Sequence, residues 1–256
     1  MDEDRRKFLK LAGVAALGIG SASLVKTVNG KERRSGKFPQ ALEGKRWAMV
    51  IDLAKCQEHE GCTLCMNACN QVHNIPHFDD PRHEIKWIWK EPFENALPNQ
   101  EEDFLEQGVS KGPAVVLCNH CERPPCVRVC PTQATFKRED GIVMMDMHRC
   151  IGCRYCIVAC PYGSRSFNWQ DPHLGLGDIN PGYPTRMRGV VEKCIFCEER
   201  LAKGKLPACV EACPYGALTF GDLDDPGSKV RKLLKSRYAV RRKVELGTRP
   251  GVFYLV

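Results

Sequence analysis

Sixteen cysteines in 256 residues fall into four groups of four, with none left over. They are Cys56, Cys62, Cys65 and Cys69; Cys118, Cys121, Cys126 and Cys130; Cys150, Cys153, Cys156 and Cys160; and Cys194, Cys197, Cys209 and Cys213. The third group reads Cys-Ile-Gly-Cys-Arg-Tyr-Cys-Ile-Val-Ala-Cys-Pro. A C-x2-C-x2-C-x3-C-P run suits an iron–sulfur cubane for reasons of shape. Three thiolates from one tight loop reach three iron corners, and the fourth cysteine leaves on the next helical turn, pointing away to ligate another cluster. Four quartets predict two cluster pairs, room for four [4Fe–4S] clusters, and one-electron transfer as the chemistry.

Two plainer readings compete. A disulfide scaffold would need an oxidising compartment, and an even cysteine count permits it. Such scaffolds are short, however, and cysteines two residues apart in a tight loop rarely pair. Structural zinc also uses C-x2-C, but takes two ligands from each of two separate hairpins. Here quartets two and three each crowd all four thiols into about a dozen residues, a proline following. No C-x-x-C-H occurs, so the chain carries no signal for covalent haem.

The elements that must hold these loops are short. Ala48 to Asp52 and Ala114 to Leu117 read as apolar strands feeding cysteines, and Thr135 to Lys137 and Ile142 to Asp146 flank the hairpin signal Glu139-Asp140-Gly141. Glu84 to Lys90 alternates like a half-buried strand, with Trp87 and Trp89 covering cluster or core surface. Pro131, Pro161 and Pro214 are expected to stop a short helix carrying each fourth cysteine, a pattern that Asn70 breaks after Cys69. Quartets two and four repeat one another beyond the cysteines: Pro125-Cys126-Val127 and Cys130-Pro131 match Ala208-Cys209-Val210 and Cys213-Pro214. Quartet four differs in its eleven residues between Cys197 and Cys209, against four between Cys121 and Cys126.

The amino terminus bears on location. Asp4-Arg5-Arg6-Lys7-Phe8-Leu9-Lys10 reads as a twin-arginine signal, and the apolar run after it, Leu11 to Val25, is shorter than the roughly 20 residues an ordinary spanning helix needs. Export of folded protein suits cofactors inserted in the reducing cytoplasm. The late part of the chain is basic, with nine Lys or Arg and one acid between Ser228 and Arg249. That predicts a solvated face, or attraction to anionic lipid or an acidic partner. No base-stacking or groove-reading motif accompanies the charge, and nucleic acid is not expected. The organisation expected is a signal segment (1–22), a linker (23–45), a cluster domain (46–222) and a basic C-terminal tail (223–256).

Over residues 46–222 the chain resembles the four-cluster ferredoxin-like subunits of membrane-bound respiratory complexes, such as the electron-transfer subunits of dimethyl sulfoxide and polysulfide reductases. The stretches Trp47-Ala48-Met49-Val50-Ile51-Asp52, His73-Asn74-Ile75-Pro76 and Lys86-Trp87-Ile88-Trp89, with Glu245-Leu246-Gly247-Thr248-Arg249-Pro250, are similar to the extracytoplasmic iron–sulfur subunits of Dsr-type (DsrO), Hdr-like menaquinol oxidoreductase complexes. The resemblance implies an α+β fold of two intertwined ferredoxin-like modules, each built for two [4Fe–4S] clusters and carrying loop insertions. It implies no catalytic residues of the chain's own, a membrane partner of the NrfD type that handles quinol, a multihaem cytochrome c, and a place on the extracytoplasmic face of the membrane. Following the family's pairing, Cys56, Cys62 and Cys65 join Cys213; Cys194, Cys197 and Cys209 join Cys69; Cys118, Cys121 and Cys126 join Cys160; and Cys150, Cys153 and Cys156 join Cys130.

Quartet one departs from the compact pattern, with five residues between Cys56 and Cys62. The insertion is either a bulged loop or a device that swings Cys56 away, leaving a three-iron or labile cluster; His59 within it reads as a surface residue. The function expected is electron transfer in a quinol-linked oxidoreductase. The alternatives are an electron-transfer subunit of a molybdopterin reductase and, in a different class, a zinc-stabilised binding or structural protein. Replacing Arg5 and Arg6 together by Lys should retain a cluster-loaded protein inside the cell, as cell fractionation would show; undiminished export would exclude the twin-arginine route.

Overall fold

In the computed structural model, which describes residues 41–98 and 112–256, the apolar run Trp47–Asp52 forms β1, and all six of its residues are buried. The signal segment and most of the linker lie outside the described residues. A strand buried on both faces reads as a continuous apolar run, with successive side chains alternating between faces. Trp47, Met49 and Ile51 enter the main core, whereas Ala48 and Val50 enter a second, smaller layer. β1 pairs antiparallel with β8 (Leu218–Asp222) and parallel with β10 (Val252–Leu255), and β10 pairs antiparallel with β9 (Ala239–Val240). The sheet order is β8-β1-β10-β9, with Met49 opposite both Phe220 and Val252.

Residues 223–256 are therefore part of the framework and not an appended tail. The helix Lys229–Ser236 begins at Ser228, whose Oγ accepts the Arg231 amide at 3.1 Å. Its apolar face, Val230, Leu233 and Leu234, covers Ala48, Val50 and Leu255, leaving its basic residues outward. Close approach requires Gly221, where a Cβ would stand 3.3 Å from Val230 Cγ2. The basic stretch is also not uniformly solvated: Arg242 is buried and donates from Nε to Ala96 O at 2.7 Å.

Three antiparallel pairs complete the strands of the described residues: β2 (Ile88–Glu91) with β3 (Ala114–Leu117), β4 (Thr135–Lys137) with β5 (Val143–Met145), and β6 (Ser166–Phe167) with β7 (Val191–Glu192). Short helices separate them: α1 (Leu53–Gln57), α2 (Leu64–Val72), α3 (Phe93–Ala96), α4 (Pro125–Arg128), α5 (Tyr155–Val158), α6 (Glu198–Leu201) and α7 (Ala208–Glu211), with Lys229–Ser236 as α8. This mixture of short strands and helices is an α+β fold. The described residues make one compact unit, and no helix among them is long and apolar enough to cross a membrane.

Two local expectations shift. The alternating run from Glu84 becomes strand only at Ile88, because the Lys86 amide donates to Ser166 Oγ at 2.9 Å instead of joining a ladder. Helices α4, α5 and α7 carry the third cysteines, Cys126, Cys156 and Cys209. They end before Cys130, Cys160 and Cys213, each of which immediately precedes its proline. In quartet one, where no proline follows, α2 runs on to Val72 and holds both Cys65 and Cys69, one turn apart.

Because Tyr254 is fully buried in the central sheet, Tyr254→Ala should destabilise the protein by roughly 3–5 kcal/mol, the usual cost of deleting a core aromatic. Thermal denaturation should show it clearly beside Tyr238→Ala, a 73% exposed control. Equal behaviour of the two variants would mean that the C-terminal strand is dispensable.

Candidate metal centres

All sixteen cysteines are free thiols, and of these Cys153 alone is exposed. Cys56, Cys62, Cys65 and Cys213 line one cavity. Cys69, Cys194, Cys197 and Cys209 line a second, and Cys118, Cys121, Cys126 and Cys160 a third. Each cavity takes three cysteines from one quartet and one from another. Cys130, Cys150 and Cys156 pack together beside Cys126 with Ala134, Val143 and Val191.

Local backbone geometry turns the thiols inward. The residue before the second cysteine of a C-x2-C pair is left-handed in three quartets: His120 at φ 41°, Gly152 at φ 69° and Phe196 at φ 54°. L side chains rarely adopt this conformation, and it costs of order 1–3 kcal/mol at a non-glycine residue. In quartet four it brings an amide of the loop itself to sulfur, and amides outside the C-x2-C loops approach two other sulfurs. The Phe196 amide lies 3.5 Å from Cys194 Sγ, the Ala208 amide 3.4 Å from Cys197 Sγ, and the Thr135 amide 3.4 Å from Cys130 Sγ. At Gly152 only glycine fits, since a Cβ would meet Gly189 O at 2.5 Å.

Burial makes these thiols poor anions on their own. It pushes Cys65 up to about 11 and Cys121 and Cys194 up to about 12, and raises Cys69 and Cys209 well above the ordinary thiol range, with neighbouring sulfurs adding repulsion. Four such thiols around one cavity give up their protons when a cationic metal centre takes the charge. The donor set and the cavities therefore fit iron–sulfur clusters.

Comparison with known proteins agrees. Residues 114–175 and 181–223 match the 4Fe-4S dicluster domain model. The chain is 42% identical to the Hdr-like menaquinol oxidoreductase iron-sulfur subunit 1 of Archaeoglobus fulgidus over 98% of its own length and 97% of the relative's. It is 40% identical to the menaquinone reductase iron-sulfur cluster-binding subunit of Nitratidesulfovibrio vulgaris, covering 82% and 88% of the two chains. With the protein NrfC of Escherichia coli it shares 38% identity over 99% and 95%. The chain belongs to this family of 4Fe-4S iron–sulfur subunits. It holds multiple [4Fe–4S] clusters, which take up and release single electrons, and the zinc and disulfide readings fall away.

As a member of this family, the chain must exclude water from its clusters and tune them. Trp87, 1% exposed, lines the second cavity and donates from Nε1 to Glu192 Oε2 at 3.0 Å. Trp89 is half-buried and bonds Glu91 at 2.6 Å. Cys56 has not swung away: α1 brings it to the same cavity as its three companions. His59 is half-buried and stacks on Tyr215 with ring centroids 3.3 Å apart, so the insertion in quartet one is pinned beside Cys213.

Four side chains near sulfur have no signature in cysteine spacing. His73, 1% exposed, places Nδ1 3.7 Å from Cys69 Sγ and bonds Glu199 Oε1 through Nε2 at 3.1 Å. His73, Cys197 and Glu199 bring their ligand atoms within 4.8 Å of one another, but Cys197 also lines the second cavity, so this trio braces that site. Asn119 and Arg165 line the third cavity. Lys193, fully buried, donates from Nζ to Cys194 O at 2.7 Å and also to Val143 O. The only signal available was position: Asn119 lies inside a C-x2-C loop, and Lys193 directly precedes Cys194.

Proposed function

We propose that this chain is the electron-transfer subunit of a membrane-bound, menaquinol-linked oxidoreductase, carrying four [4Fe–4S] clusters with crossed ligation. Cys56, Cys62, Cys65 and Cys213 hold the first, and Cys69, Cys194, Cys197 and Cys209 the second. Cys118, Cys121, Cys126 and Cys160 hold the third, and Cys130, Cys150, Cys153 and Cys156 the fourth. Quartets one and four then form one ferredoxin-like module, and quartets two and three the other. The observation that carries this reading is the mixed parentage of the three cavities, each taking its fourth thiol from a distant quartet.

Successive sites are also neighbours. Cys209 of the second is close enough to feel the charge of Cys65 of the first, Cys194 of the second that of Cys118 of the third, and Cys156 of the fourth that of Cys126 of the third. Such spacing lets electrons pass from site to site, while the chain itself binds the clusters and keeps water out. At the fourth site Cys153 is exposed amid Ile151, Tyr155 and Val158, of which Val158 is 87% exposed. An apolar surface over a cluster loop supports docking there on an NrfD-type quinol-handling membrane subunit. At the other end Leu64 and Tyr215 are exposed beside the first site, a surface suited to a multihaem cytochrome c. The twin-arginine reading supports an assembly on the extracytoplasmic face of the membrane. The relative named for menaquinol, aligned over nearly its whole length, favours this arrangement over a molybdopterin reductase subunit.

Electron paramagnetic resonance of the reduced protein tests the ligation. Cys62→Ala and Cys213→Ala should remove the same cluster signal, and Cys209→Ala a different one. Loss of one common signal in Cys209→Ala and Cys213→Ala would mean that each quartet closes on its own cluster, and the crossed scheme would be wrong.

A further inference from the structure

The third cavity differs from the others in what faces it. Arg165 is 6% exposed and Asn119 1% exposed, and both line the space between Cys118, Cys121, Cys126 and Cys160. Arg165 Nη2, Asn119 Nδ2 and Asn119 Oδ1 have no hydrogen-bond partner in the protein. Arg165 is held in place by its other nitrogen, Nη1, which donates to Thr135 Oγ1 at 3.1 Å, and its guanidinium lies beside Cys126 and Cys156. Lys193 directly follows β7, the strand paired with the β6 that Arg165 precedes, and lies beside Cys118, Cys126 and Cys194.

Neither Arg165 nor Lys193 forms an ion pair with a carboxylate among the described residues, whereas the equally buried Arg186 is paired with Glu192 at 2.7 Å. A buried cation without a counter-ion is strongly disfavoured. Their counter-charge must come from thiolate-ligated iron–sulfur groups beside them, and buried N–H donors left unpaired on residues that line a cavity need an acceptor. The first and second cavities have no Lys or Arg among their lining residues, and Lys90, whose charge reaches Cys56, stands outside the first. The second is faced by apolar side chains and by His73, whose ring nitrogens already bond Cys69 O and Glu199. At the fourth site Cys153 is open to solvent, and water screens a neighbouring charge there.

We propose that Arg165 and Asn119 are the positioning residues that set the reduction potential of the cluster held by Cys118, Cys121, Cys126 and Cys160, making it the most readily reduced of the four. This rests on reading the cavity as a cluster site. Taking up an electron makes the cluster more negative, so a fixed positive charge and hydrogen bonds toward its sulfurs stabilise the reduced form and raise the potential. The third cluster then acts as the electron store in the interior of the line, with Arg165 and Lys193 beside it.

The test is a redox titration of the assembled holoprotein followed by electron paramagnetic resonance, comparing wild type with Arg165→Met, Arg165→Lys and Asn119→Leu. In wild type, one signal should appear at higher potential than the rest. Arg165→Met and Asn119→Leu should each move that same signal to lower potential, Arg165→Lys should restore most of the loss, and the signal removed by Cys213→Ala should stay where it was. If Arg165→Met fails to assemble, Asn119→Leu alone must lower the first-reduced signal. All signals present but unmoved, or different signals moved by the two variants, would overturn the proposal. A wild-type holoprotein with no iron–sulfur signal would instead overturn the cluster reading on which it stands.

Discussion

In three cavities, three thiols from one loop meet a fourth from a loop far away in the sequence: Cys213 beside Cys56, Cys69 beside Cys194, Cys160 beside Cys118. The rest of the structure answers to that convergence. A loop of two or three residues cannot surround a cavity by itself, so the enclosing wall must come from another part of the chain. β1 and β8, side by side, each lead straight into or out of quartet-bearing segments, which brings the first and last quartets together. The left-handed residues at 120, 152 and 196 then aim the sulfurs. Backbone strain at these points is held by the packing around them, and once four thiols share a metal–sulfur group the two segments are tied to one another through it.

Burial both protects and complicates such a site. Excluding water from buried thiols raises the cost of ionising them, and neighbouring sulfurs raise it further. A cationic centre reverses that balance and so couples cluster insertion to folding. The second cavity is walled mostly by apolar side chains, Trp87 among them, whereas the third has Arg165 and Asn119 in its lining. In the proposed arrangement, sites with different surroundings would make unequal electron acceptors.

Much of this was legible because it is local. Cysteine spacing, a proline after a thiol, an apolar hexapeptide at Trp47 and a glycine turn at Gly141 are short-range signals, and the strands at 47–52, 114–117 and 135–137 lie where the residues put them. The basic stretch after residue 222 misled because its charge is obvious while its pairing is not. A parallel partner for β1 supplied from residues 252–255 leaves no local trace, and four apolar residues at a chain end read as little. Arg165, Lys193 and Asn119 were invisible for a related reason: a charged or amide side chain gives no hint in sequence that it is buried and unpaired. The insertion in quartet one was ambiguous until α1 and the His59–Tyr215 stack placed Cys56 with its companions.

In the proposed arrangement, electrons enter at the exposed, apolar end of the line and pass inward through the neighbouring sites. The direct measurement is quinol-driven reduction in the assembled membrane complex with Cys150→Ser, followed cluster by cluster. The expected result is that quinol no longer reduces the remaining three clusters at the normal rate, while a chemical reductant still reaches all of them. Undiminished quinol-driven reduction in a fully assembled variant would contradict this route and put the point of electron uptake elsewhere on the protein.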